Sequence, residues 1–151
     1  EGGIKTPFIV KWPGKVKANS KSNYIGAFWD LMPTLTSIAQ APQPRYTDGI
    51  SFLPTLLGKG KQPQHTYLYW EFHEDNGTQA VRMGKWKGIR KQVMLNHNAP
   101  LELYDLDNDP AEKQDLSASN PAIVKKIEGY MKEAHLESTI FPMFSKKGRT
   151  D

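Results

Sequence analysis

The run Pro7-Phe-Ile-Val-Lys-Trp12 is almost continuously apolar and is closed by Pro13-Gly14. That is the pattern of a short strand buried on both faces, as in a parallel sheet. Residues 23–27 read as a second candidate strand. From Asp30 the pattern turns helical, with Leu31, Leu35, Ile38 and Ala39 recurring on one face. Asp30 stands where a cap belongs, and Pro33 falls in the first turn, where its missing N–H costs little. The helix is expected to stop near Gln40, ahead of Pro42 and Pro44. Residues 51–57 predict a shorter helix ended by Gly58.

Beyond the Gly- and Lys-rich linker at 58–64, the hydrophobic period changes to two. Residues 66–72 and 78–83 are β-prone, and Asp75-Asn-Gly77 between them is a hairpin turn signal. Gly84-Lys85 suits a two-residue turn into a third strand at 86–91. A fourth, at 101–106, sets Leu101 and Leu103 on one face and Tyr104 and Leu106 on the other, and Asp107-Asn-Asp-Pro110 stops it. The last helix is signalled by Asn120 as cap and Pro121 at its first position. Its stripe is Ile123, Val124, Ile127, Tyr130, Met131 and Ala134, with Glu128 and Lys132 as an i,i+4 pair on the other side. Such a stripe needs a sheet face to cover. The pattern predicts an α+β fold, a four-stranded antiparallel sheet packed with a C-terminal helix, preceded by further strand and helix elements. The expected boundary separates residues 1–62 from a small α+β domain at 63–151. The polar tail from Ser145 is expected to fray.

Composition narrows the classes. Only 38% of residues are hydrophobic, but four Trp, six Tyr and six Phe supply bulk for a core. With no cysteine, these residues offer no disulfide, thiolate metal site or cysteine nucleophile, which does not argue against export. No run of 18 apolar residues occurs, so no membrane-spanning helix is expected. The net charge of +4 raises the question of nucleic acid. Most lysines are dispersed; only Lys85, Lys87, Arg90 and Lys91 concentrate, with Lys85 and Lys87 expected on one strand face about Trp86. So modest a charge reads as a solvated surface, and no nucleic-acid partner is expected.

Candidate chemistry is sparse. Asp105, Asp107 and Asp109 alternate as in a calcium loop, but Pro110 and Leu116 stand where that loop needs Gly and a bidentate acid. They read as turn-forming carboxylates. His65, His73, His97 and His135 have no ligand spacing, and no phosphate loop or nucleophile elbow occurs. Asn76-Gly-Thr78 is formally a glycosylation sequon, but the same residues account for a hairpin turn. One polar cluster remains. The first hairpin carries Glu71, His73, Glu74 and Asp75 on one arm and Gln79 and Arg82 on the other. It is either a binding place for a polar, anionic or sugar-like ligand or a hydrophilic tip with a cross-strand ion pair.

Five segments in order resemble the sulfatase family. Residues 1–14 resemble the segment that enters a late strand of the catalytic sheet, with Lys5 where Arg is common. Asp30-Leu-Met-Pro-Thr-Leu35 is similar to the next helix, and Asp48-Gly-Ile-Ser51 with Leu53 and Leu56 to the loop after it. Residues 78–87 resemble the family's hairpin and 101–116 its terminal strand and turn. The resemblance implies a sulfate-ester hydrolase of the alkaline-phosphatase-like superfamily, with the elements at 1–62 as the last strand and helix elements of its α/β domain. Such enzymes use a formylglycine, made from the first residue of C/S-x-P-x-R, and a calcium ion. Neither form of that motif occurs here, so no catalytic or metal residue is assigned to this chain. Calcium and formylglycine are expected upstream, and the chain is expected to be the inactive C-terminal part of a longer enzyme.

The implied partners are the rest of the catalytic domain and a sulfated glycan or arylsulfate; the implied location is periplasmic or secreted. Glu71, His73, Gln79 and Arg82 are then candidates for a cleft wall that selects substrate. Two alternatives stand beside this reading. One is a phosphodiesterase or phosphonate hydrolase of the same superfamily. The other is a non-catalytic carbohydrate-binding module with Trp70 and Trp86 as stacking surfaces.

Overall fold

The computed structural model describes residues 1–144, and the expected frayed tail from Ser145 lies outside them. Its backbone divides into two units, Gly2–Thr66 and Glu1 with the residues from Tyr67 onward.

In the unit Gly2–Thr66 no strand forms at 7–12 or 23–27. Phe8 is 63% exposed and Ile9 90%. A parallel strand exists only against a neighbour that takes its N–H and C=O groups, and this unit contains no second strand. α1 (Leu31–Ile38) and α2 (Leu53–Leu57) do form, α2 ending at Gly58 in the left-handed conformation. The buried side of α1 is Pro33 and Thr34, next to Asp30, whereas Leu35 of the expected stripe is exposed. Asp30 does not cap with its side chain. Fully buried, its carboxylate accepts hydrogen bonds from the N–H groups of Ala27 (2.9 Å) and Ile50 (2.8 Å) and lies 2.8 Å from Nε2 of His65. A buried carboxylate needs every donor within reach, and here the tertiary donors outcompete the local cap. Thr34 joins in: its hydroxyl donates to the Asp30 carbonyl and accepts from Phe52 N–H.

The unit from Tyr67 holds the expected four-stranded antiparallel sheet, in order β1 (Leu68–Phe72), β2 (Thr78–Met83), β3 (Trp86–Lys91), β4 (Leu101–Asp105). The Gly84-Lys85 turn joins Met83 to its partner Trp86. On one face, Val81, Leu101 and Leu103 pack against Ile127 and Met131 of α3 (Pro121–Ala134), with Tyr69, Trp86, Ile123 and Val124 around them. The opposite face gathers Ala80, Ile89, Tyr104 and Leu106. The leucine and tyrosine alternation in β4 therefore divides between two layers as its pattern predicts. Glu128 is engaged by Arg90 of β3 rather than by a neighbour on its own helix. Asn120 precedes α3, but its amide turns back to donate to the Leu116 carbonyl.

Two local devices finish the sheet. On the outer edge of β4, Leu103 is satisfied without a fifth strand: its N–H donates to Asp115 Oδ1 (2.9 Å) and its carbonyl accepts from Leu116 N–H (2.8 Å). At that residue the edge leaves no free backbone pair for another chain. At the sheet centre, Gly88 lets the helix come close, since a Cβ there would lie 2.6 Å from Ile127 Cγ2. Gly88→Ala is expected to cost about 1–3 kcal/mol by forcing Ile127 off its seat. Urea denaturation measures this, and an unchanged midpoint would contradict the close approach.

Candidate functional site

Register places Glu71 of β1 directly opposite Gln79 of β2, on the face that α3 covers. Tyr69, two residues earlier on that face, donates its hydroxyl to Glu71 and accepts from Gln79 Nε2 at 2.8 Å. His135, the residue after α3, completes the group. Its Nδ1 lies 2.5 Å from Glu71 Oε1 and its Nε2 3.0 Å from Glu137 Oε2. A ring with a carboxylate on each nitrogen is satisfied as an imidazolium, because the neutral form has only one donor.

The electrostatics follow from these contacts. Burial works to raise the Glu71 carboxyl, but hydrogen bonds from Tyr69 and His135 outweigh it and hold the group below its ordinary 4.5. Burial likewise works to lower the His135 imidazole, and the bonds to Glu71 and Glu137 reverse it, raising the group above 6.5. Burial first, then the bond to Glu71, pushes the Tyr69 hydroxyl well up, so it stays a neutral donor.

The other two candidates lie apart from this group. His73 sits in the loop after β1 with its ring 4.0 Å from that of Phe141, and its Nε2 is buried without a hydrogen-bond partner. Arg82 is on the opposite sheet face, where its Nη1 donates to Glu1 Oε1 at 2.7 Å and its Nε to the Gly84 carbonyl. The structure thus joins Glu71 with Gln79, keeps His73 at the same hairpin end, and places Arg82 elsewhere. A period-two reading could have found Tyr69. His135 is 64 residues from Glu71 and is visible only once the direction of α3 over the sheet is known.

Other motifs resolve into structural roles. Asp105 accepts from Lys85 (2.7 Å) and Asn108, while Asp109 accepts from the N–H groups of Lys113 and Gln114. These carboxylates staple the turn after β4. Among the described residues no group of three His, Cys, Asp or Glu is placed to hold a metal ion, and with no C/S-x-P-x-R motif these residues do not fit calcium or formylglycine. Each cation of the basic group has a carboxylate partner: Lys85 with Asp105, Lys87 with Glu112, Arg90 with Glu128, Lys91 with Glu102. Lys85 lies in the turn rather than on a strand face with Lys87, and Trp70 and Trp86 fall on opposite faces of the sheet. Asn76 occupies a left-handed turn position, and its carbonyl accepts from Met94 N–H. Among the described residues no helix is long and apolar enough to cross a membrane.

Comparison with known proteins gives concordant matches. The family model described as N-sulphoglucosamine sulphohydrolase, C-terminal, matches residues 1–138. Arylsulfatase A of Bos taurus is 31% identical, covering 90% of this chain and 31% of its own length. An N-acetylgalactosamine-6-O-sulfatase of Bacteroides thetaiotaomicron is 30% identical, covering 84% of this chain and 26% of its own length. A solved structure described as a complex with its substrate D-glucosamine-2-N,6-O-disulfate superposes with a TM-score of 0.69 at 25% identity. That match covers 83% of this chain and 27% of the other. The chain therefore spans less than a third of the length of the relatives it matches.

The Glu71–His135 pair carries a pH prediction. The raised imidazole contributes stability that is fully present below 6.5 and lost as pH rises through its folded value. The lowered carboxyl contributes stability present above 4.5 and lost as pH falls through its folded value. The stability difference between the native chain and His135→Gln should be widest between those two values and close above them. Urea denaturation across pH reads this, and a gap persisting unchanged into the alkaline range would refute it.

Proposed function

The chain belongs to the N-sulphoglucosamine sulphohydrolase C-terminal family, and from that premise we propose that it is the C-terminal part of a sulfatase acting on sulfated glycans. Residues 1–62 form the end of its catalytic α/β domain and 63–151 its small flanking domain. The observation that carries the reading is the family match over residues 1–138, which includes the hairpin with Glu71, His73 and Gln79. A glycan rather than an arylsulfate is favoured by two matched proteins whose names specify sulfated amino sugars. An exported location, periplasmic or secreted, accompanies such substrates.

In this reading the chain supplies cleft wall, not chemistry. Calcium and a formylglycine nucleophile would be held by residues of the enzyme other than these, and would supply sulfate polarisation and attack. Glu71, held anionic by Tyr69 and His135, accepts from sugar hydroxyls or an amino group. The unpaired Nε2 of His73 is a polar atom suited to a ligand contact. Arg82, committed to Glu1 on the other face, has the weakest case of the four.

The exposed apolar side chains of the first unit fit the same account. Phe8, Ile9, Phe28, Met32 and Leu35 are each more than half exposed. The rest of the catalytic domain is the partner that would cover them and pair with the run at 7–12.

In the enzyme that carries this chain, Glu71→Ala and His73→Ala should each raise KM about tenfold with kcat little changed, the signature of lost substrate binding. Steady-state sulfate release on a sulfated disaccharide measures it, and unchanged KM for both variants would sink the assignment. The isolated 151 residues should release no sulfate with calcium added; turnover by the pure chain would overturn the division of labour.

A further inference from the structure

Around the hairpin end from Glu71, a groove of about 520 Å3 opens where β2 starts, β3 ends and β4 starts. Asp75, Thr78, Lys91, Gln92, Pro100 and Glu102 line it. We propose that this groove binds a neutral, hydroxyl-rich sugar unit of the glycan. The inference rests on the glycan reading above and extends it to a second subsite.

Thr78, Lys91 and Glu102 lie on the sheet face opposite Glu71 and Gln79. Glu102 is fixed in place: its Oε2 accepts from Lys91 Nζ at 2.8 Å and from the Tyr104 hydroxyl at 2.8 Å. Glu102 Oε1, which accepts only from Lys91 Nζ (3.0 Å), retains acceptor capacity, and the exposed Lys91 ammonium retains a donor. Thr78 adds a hydroxyl and Gln92 an amide, so both donors and acceptors line the groove, as hydroxyl recognition requires. Its formal charge settles the ligand's sign. Two carboxylates, Asp75 and Glu102, face one ammonium, Lys91, so an anionic sulfate is disfavoured where a neutral sugar is not. Phe72, the register partner of Thr78 on the same face, is 43% exposed and offers an apolar ring for the flat side of a pyranose.

The test is amide chemical-shift mapping of the whole 15N-labelled chain with methyl β-D-galactopyranoside, methyl β-D-glucopyranoside and galactose 6-sulfate. A neutral glycoside should produce saturable shifts at Thr78, Gln92 and Glu102 with millimolar affinity, and the sulfated sugar should bind there about tenfold more weakly. Glu102→Gln and Phe72→Ala should each weaken the neutral sugar by about five- to tenfold, with the rest of the spectrum unchanged. Absence of saturable shifts with both neutral glycosides, or equal binding of the sulfated sugar, overturns the proposal. Because this readout needs no turnover, it separates from the enzymatic reading. A chain that takes up the neutral sugar but belongs to an enzyme releasing no sulfate would keep the groove and lose the sulfatase.

Discussion

The seating of Ile127 over Gly88 is the contact on which the small domain depends. Ile127 is fully buried, and its Cγ2 occupies space that a Cβ on Gly88 would need. An unbranched backbone at the sheet centre lets α3 approach closely, and the apolar stripe from Ile123 to Met131 then covers Val81, Leu101 and Leu103. Without that approach the helix would lift, and the leucines of β4 would lose their cover. Truncations of the Ile127 kind cost about 2–5 kcal/mol in well-packed cores, a large share of a small domain's stability.

The same seating fixes polar chemistry at the end of α3. Once Ile127 and Met131 are docked, the next residue on that line, His135, arrives beside Glu71 of β1. Tyr69 and His135 together keep the glutamate charged, while burial and the glutamate keep the tyrosine neutral, so a partly buried polar group stays oriented at the edge of a hydrophobic layer. The site is thus a by-product of helix packing rather than of the hairpin alone. Strand register alone brings Glu71 and Gln79 together and sends Arg82, three positions further along an alternating strand, to the other face.

What was legible in the sequence divides along the same line. Strands β2 and β3, the Gly84-Lys85 turn and the start of α3 follow from local alternation and cap signals, and the structure places them at the expected residues. The apolar run at 7–12 has strong local propensity but no strand, because a parallel strand is made by its neighbours and not by its own residues. Asp30 shows the same principle at one residue: local spacing predicts a cap, while donors from Ile50 and His65, far away in the chain, claim its carboxylate. Among the site residues, Glu71 and Gln79 are visible as a hairpin pair. His135 is not, since no local pattern links a helix end to a strand 64 residues earlier.

The claim that helix seating presents His135 to Glu71 can be tested by NMR titration of the His135 ring in the native chain and in Gly88→Val. In the native chain the imidazole should titrate above its ordinary 6.5. In Gly88→Val, with Ile127 displaced, it should fall back toward that value while the sheet amides keep their antiparallel pattern. An unchanged titration in a variant whose helix has demonstrably shifted would mean that something other than the docking of α3 holds the pair together.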